Sequence, residues 1–169
     1  MEQGYERVLM GIKDSGSRTE FETGAVRDIQ EGKGRCDLMP LDVMAIMYAR
    51  CGYQEEADVL NSIHLFQKTG HVGYLYDVLK RQTIFNSLSD MFLEVSIHMA
   101  DGCAKYGERN WEKGIPTQRY VDSAVRHYLK CLRGDTDEPH NRAFCWNIMC
   151  AAWTCIHKPE LNDYAEVSE

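Results

Sequence analysis

From Leu41 onward, apolar residues recur at helical spacing along most of the chain. Leu41, Met44, Ala45 and Tyr48 open the series. Weaker helical runs follow at residues 54–67 and 72–81, parted by the stop signal Thr69-Gly70-His71. Three stronger segments come next. Over residues 87–104, Leu88, Met91, Phe92, Val95, Met99 and Cys103 mark one apolar face, with Ser87 or Ser89 as N-cap. Over residues 117–133, Val121, Ala124, Val125, Tyr128, Leu129 and Leu132 face inward, between Pro116 and the stop at Gly134. Over residues 139–156, Pro139 suits the first turn, and Phe144, Trp146, Ile148, Met149, Trp153 and Ile156 make the core face. No run alternates with the period of a strand. The pattern predicts an all-α fold, a compact single-domain helical bundle with an ordered N-terminal basic loop.

The polar stretches set the expected boundaries. Residues 1–24 read as a loose arm, and residues 25–40 as a loop too rich in charge and glycine to be a packed element. Residues 25–157 then form the domain, with 50–86 as a variable helical insert and 158–169 as a polar tail. A length of 169 residues suits one domain, and 44% hydrophobic residues supply a core. No stretch approaches the ~18 apolar residues of a membrane helix, and the N-terminus lacks the order of a signal peptide. The expectation is a soluble, cytoplasmic chain without membrane partners. The seven cysteines include no CxxC pair and read as reduced, buried thiols. With 19 Lys and Arg against 26 Asp and Glu, the net charge of −7 argues against general duplex nucleic-acid binding. A small polyphosphate held by a local basic cluster stays compatible with it. Broad helix faces and residual aromatics suggest a homodimer or higher homo-oligomer.

Several polar groups have chemistry-bearing spacing. Arg27, Lys33 and Arg35 cluster around Gly32 and Gly34, which free the backbone to wrap an anion, though the frame is not a Walker loop. Glu94, His98, Asp101 and Lys105 form one helical stripe. It suits a metal ion or a base beside water, or simply a solvated face with a weak Glu–His pair. The loop Gly107–Pro116 carries Trp111 in its middle. It is either a connector whose Trp covers the core edge or a ligand loop, with the aromatic stacking on a ring and Arg and Lys meeting phosphate. Asp122 and Arg126 fit a salt bridge, whereas His127 lies on a different stripe, nearer the core. The acidic run Gly134–His140 suits a helix N-terminus. Alternatively, Asp137, Glu138 and His140 join His98 or His127 around a metal, with Asn147 on the face of His140. Carboxylates favour Mg²⁺ or Mn²⁺; a histidine site favours Zn²⁺ or another transition metal.

The segments Gly24-AVRDIQEGKGRCDLMP-Leu41, Cys103-AKYGERNWEKGIP-Thr117, Asp122-SAVRHYLKCLRGDTDEPH-Asn141 and Ala143-FCWN-Ile148 carry a further signal. Together they resemble the mostly phage-encoded dATP/dGTP diphosphohydrolase-like family, over about residues 24–157 outside the 50–86 insert. The resemblance implies hydrolysis of a purine deoxynucleoside triphosphate to the monophosphate and pyrophosphate. It is similar in spirit to the all-α nucleotide pyrophosphohydrolases, which hold Mg²⁺ on helix-borne Glu and Asp. The paired ExxE and ExxD of those enzymes is missing here, and Glu94, His98 and Asp101 are the closest stripe.

Charge considerations then assign roles for attack at the α-phosphorus, which needs water activation and neutralisation of the leaving pyrophosphate. Glu94, His98, Asp101, His127, Asp137 and His140 are expected to supply metal ligands and the water base, with Glu94, His98 and His127 as the catalytic set. Arg27, Lys33, Arg35, Lys105, Arg109, Lys113 and Arg126 are expected to clamp phosphates. Trp111 or Tyr106 would stack on the purine, and Asn110 or Asn147 read its edge. The rival reading is a non-catalytic phage binder that sequesters a host signalling nucleotide and so counters defence.

Overall fold

The computed structural model describes residues 16–165. Six helices make up most of it: α1 (Leu41–Arg50), α2 (Gln54–Thr69), α3 (Gly73–Arg81), α4 (Leu88–Tyr106), α5 (Thr117–Arg133) and α6 (His140–His157). Ahead of them lies a small antiparallel pair, β1 (Arg18–Glu20) and β2 (Val26–Asp28), with Thr19 opposite Arg27. Short 3₁₀ turns occur at Cys36–Leu38, Asn110–Lys113 and Pro159–Leu161.

The central element is α6, packed against α3, α4 and α5. Its sequence explains the position, because a helix that is apolar nearly all round has to be buried. Ala143, Phe144, Cys145, Ile148, Cys150, Ala151 and Ala152 are all buried along it. Burying the whole circumference also buries His140, Arg142, Asn147 and Thr154. Such polar groups call for partners inside the protein. Around α6 the core takes Leu60, Ile63 and Phe66 from α2, Leu75 and Val78 from α3, Met91 and Val95 from α4, and Tyr120, Val121 and Val125 from α5.

The helical expectation holds, and α5 spans the residues that Pro116 and Gly134 delimit. Ser87 caps α4 by accepting from the Asp90 amide. Several details differ. The apolar stripe of α4 is narrower than its sequence suggests: Met91 and Val95 are buried, but Leu88 and Phe92 are half exposed, and Cys103 is exposed. This helix packs chiefly on α6, so one narrow row suffices. Leu132 and Ile156 also lie on exposed positions. Cys145 and Cys150 are buried thiols, whereas Cys51 is exposed.

The N-terminal stretch is more ordered than a loose arm. Residues 16–24 belong to the hairpin, while 1–15 lie outside the described residues. The turn closes through Phe21 N to Ala25 O (2.9 Å) and Gly24 N to Phe21 O (2.8 Å). Gly24 sits at φ +77°, where a side chain would be strained. Three residues per strand are too few to show alternation, which is why the pattern missed them.

The basic segment that follows is pinned to α5. Buried Asp122 accepts from Gln30 Nε2 (2.8 Å), from the Cys36 amide (2.7 Å) and from Arg126 Nη2. Arg126 also donates to the carbonyls of Lys33 (3.0 Å) and Gly34 (3.2 Å). The C-terminal stretch is packed as well. Asp163 accepts from the Gln118 amide (2.7 Å), capping α5, which has no cap of its own. Tyr164 meets Phe66 edge-on at 5.3 Å. Among the described residues no helix is long and apolar enough to cross a membrane.

Asp122→Ala strands three donors at once, one of them the Arg126 guanidinium. It should lower the unfolding free energy by about 3 kcal/mol in urea denaturation, and a loss below about 1 kcal/mol would show that the staple is dispensable.

Candidate functional site

Strand β2 is held from two sides. The Asn110 amide mimics a neighbouring strand, accepting from Val26 N (2.9 Å) and donating to Val26 O (2.8 Å). Asp28 accepts from Lys105 Nζ (2.9 Å), Tyr106 Oη (2.8 Å) and Arg18 Nη1 (3.0 Å). Burial pushes the Asp28 carboxyl up, but the Lys105 and Tyr106 bonds outweigh it and hold the group below its ordinary range. Arg27, between the two, turns to a different set of partners: Nη2 donates to Asn147 Oδ1, and the guanidinium lies over Tyr120 (5.0 Å) and Trp146 (5.7 Å).

Beside this strand is a cavity of about 480 Å³, the size of a small-ligand site. Residues 26–30 and Lys33, the C-terminal half of α4, Asn110, Trp111, Ile115, one face of α5, Asp137 and Glu138 of the link after it, and Trp146 and Asn147 of α6 line it. Two buried polar atoms in the lining residues lack hydrogen-bond partners, Arg27 Nη1 and His98 Nδ1. Burial pushes the Arg27 pKa down, yet a guanidinium stays charged. No carboxylate among the described residues pairs with it. His98, beside Trp146 at 5.3 Å, is pushed down to about 3 by burial and by the positive charges of Arg142, Arg27 and Lys105. It is a neutral imidazole at ordinary pH.

A second cluster forms where α5 turns into α6. His127 Nδ1 and His140 Nδ1 lie 2.9 Å apart, and His140 Nε2 is 2.7 Å from Asp137 Oδ1. Glu138 Oε1 is 3.4 Å from His140 Nδ1 and 3.9 Å from His127 Nδ1. Burial and the adjacent His140 keep His127 well below its ordinary range. A carboxylate on the far nitrogen of a ligating histidine is the usual way to orient its lone pair. With Asp137 so placed, the two Nδ1 atoms and Glu138 converge as an N,N,O donor set.

The structure brings part of the expected site together. Arg27, Lys33, His98, Tyr106, Asn110, Trp111, Arg126, His127, Asp137 and Asn147 line the cavity. His140 stands behind His127, and Lys105 reaches the site through Asp28. Some residues take other places. Glu94 lines a separate shallow pocket with Asp90 and Asn141. Asp101 is outside the cavity lining, and Glu94, His98 and Asp101 belong to neither donor group, His127–Glu138–His140 or Asp135–Asp137–His140. Arg35 is exposed and grips Asp37 through Nε (2.7 Å) and Nη2 (2.5 Å). Arg109 is exposed at φ +53° and bonds Glu112 (2.6 Å), and exposed Lys113 reaches the Gly24 carbonyl (3.3 Å). Asn110 and Asn147 are committed to the protein, and Trp111 both lines the cavity and meets Trp153 edge-on at 5.0 Å.

Residues missed from sequence are Arg119, Ser123 and Lys130, all in the lining. A signal existed: Arg119, Asp122, Ser123, Arg126, His127 and Lys130 follow i, i+3, i+4, i+7, i+8, i+11, one polar face opposite the apolar one. His127, five positions on from Asp122, lies at the far edge of that face, half-buried against His140.

The depressed imidazoles imply a pH dependence of stability. His98 titrates near 3 when folded against 6.5 when unfolded, so the unfolded chain binds more protons between those values. Its contribution is complete above about pH 6.5 and is lost as the pH falls toward 3; His127 acts in the same direction. Urea unfolding at pH 7 and pH 4 should show the loss, and His98→Gln should shrink it. An identical loss in the variant would remove His98 as its source.

The comparisons with known proteins bear on the same residues. A family model described as "dATP/dGTP diphosphohydrolase, N-terminal" matches residues 75–164, more than half of the chain. The match starts within α3, inside the segment read as an insert, and takes in α4, α5, α6 and the packed C-terminal stretch. No curated protein and no solved structure matches. The helices that carry His98, Trp111, His127 and His140 thus lie within the matched region, and the chain belongs to the dATP/dGTP diphosphohydrolase N-terminal family.

Proposed function

We propose that this chain is a metal-dependent nucleotide pyrophosphohydrolase that converts dATP or dGTP to the monophosphate and pyrophosphate. The observation that carries the reading is Arg27: a buried guanidinium with no carboxylate partner and one unpartnered nitrogen among the described residues, in the wall of a nucleotide-sized cavity. A phosphate anion supplies the missing countercharge, and planar guanidinium groups bind phosphate oxygens in pairs. Lys33 and Lys130 add positive charge to the same cavity. The family membership supports the substrate class.

The hairpin cluster fits a divalent cation. Its two imidazoles and one carboxylate favour Mn²⁺ or another transition metal such as Zn²⁺ over an all-oxygen Mg²⁺ site. His127, Glu138 and His140 would hold the ion, and Asp137 would orient His140. A cation there supplies Lewis-acid polarisation of a phosphoryl group. Arg27 and Lys33 hold the polyphosphate chain and neutralise charge that grows on the leaving pyrophosphate. Neutral His98 offers a hydrogen bond from within the wall. Trp111 and Trp146 give the cavity aromatic surface for a purine.

One observation favours a second reading, a nucleotide binder without turnover. Every carboxylate in the lining already has a cationic or imidazole partner: Asp28 has Lys105, Asp122 has Arg126, and Asp137 and Glu138 share Lys130 and His140. Such pairing leaves little spare basicity for water.

Purified protein with Mn²⁺ or Mg²⁺ should release dAMP from dATP or dGMP from dGTP. Arg27→Met should lower kcat/KM by about 10²-fold or more, and His127→Ala should abolish the metal dependence. Tight binding with the nucleotide recovered intact after denaturation replaces the enzyme by the binder. Neither binding nor turnover of any purine nucleotide overturns both. Separately, Mn²⁺ titrated into the His140→Ala variant should bind at least about tenfold more weakly than to the wild type.

A further inference from the structure

Gly102 sits in α4 (Leu88–Tyr106), about one turn before its C-terminal end, where glycine still weakens a helix relative to alanine. Nothing among the described residues requires it. Its backbone is not in the left-handed region, and a Cβ placed there would meet no atom within 4 Å. Yet Gly102 lines the cavity, together with Met99, Cys103 and Tyr106 of the same helix face and with Trp111 and Trp146. Gly102 lies among the lining residues of α4, so at this position the wall is bare backbone and a Cβ would have open space before it. A methyl group would stand about 1.5 Å out from that wall.

We infer that Gly102 keeps a flat slot in which the nucleobase lies against the α4 backbone, while Arg27 holds the phosphates. This rests on the nucleotide reading above and adds to it a residue that selects for a planar ring. A base slides over bare backbone at contact distance, whereas overpacking by one methyl group pushes it out. The phosphate chain, anchored elsewhere, does not feel the change.

The test is calorimetric titration of wild type and Gly102→Ala with dATP, dGTP and inorganic triphosphate, alongside thermal unfolding. Alanine should raise the melting temperature by a few degrees. It should weaken dATP and dGTP by about tenfold or more and leave triphosphate affinity unchanged. This opposition of stability and binding is what a purely structural glycine does not produce. Unchanged dATP affinity, a parallel loss of triphosphate, or a lower melting temperature overturns the slot. A wild type that binds neither dATP nor triphosphate overturns the nucleotide reading itself, whereas one that binds both with no effect of alanine overturns the slot alone.

Discussion

A positive charge buried with no negative partner among the described residues governs the arrangement around it. Placing the Arg27 guanidinium in the interior carries a desolvation penalty that Asn147 and the faces of Tyr120 and Trp146 only partly offset. The register of β2 decides whether that penalty is incurred at all. Side chains alternate along a strand, so a slip by one residue would exchange the places of Arg27 and Asp28 and present a carboxylate instead. Asn110 on the Val26 backbone and Lys105 and Tyr106 on Asp28 hold the register. The loop read from sequence as either a connector or a ligand contact thus also works, through Asn110, as a ruler for the strand.

The second half of the site depends on chain economy. His127 lies near the end of α5, and His140 is the first residue of α6. A short link through Gly134, at φ +83°, reverses the chain and sets the two antiparallel. Histidines thirteen positions apart become neighbours without any long-range search. Asp137 and Glu138 come from the link itself, so the acidic run serves the cluster as well as the N-terminus of α6.

How much of this was legible varied with the range of the forces involved. Helices α5 and α6 were readable because Pro116, Gly134 and Pro139 act locally. The polar face of α5 was also there to be read, in the spacing from Arg119 to Lys130. The hairpin was not, since three residues per strand carry no period. Nor could the sequence separate Arg27 from Arg35 and Arg109. All three belong to polar segments, but Asp37 and Glu112 satisfy the latter two nearby, whereas the environment of Arg27 comes from residues about a hundred positions away. Capping of α5 by Asp163 is hidden for the same reason. Stripes of mixed character such as Glu94, His98 and Asp101 mislead because helical spacing places residues on a face without saying what that face meets.

Residues 29–36 line the cavity through Ile29, Gln30 and Lys33, run without regular structure up to the 3₁₀ turn at Cys36–Leu38, and are fastened to α5 by Asp122 and Arg126. That side of the cavity wall is thus set by the position of α5, the helix that also carries His127.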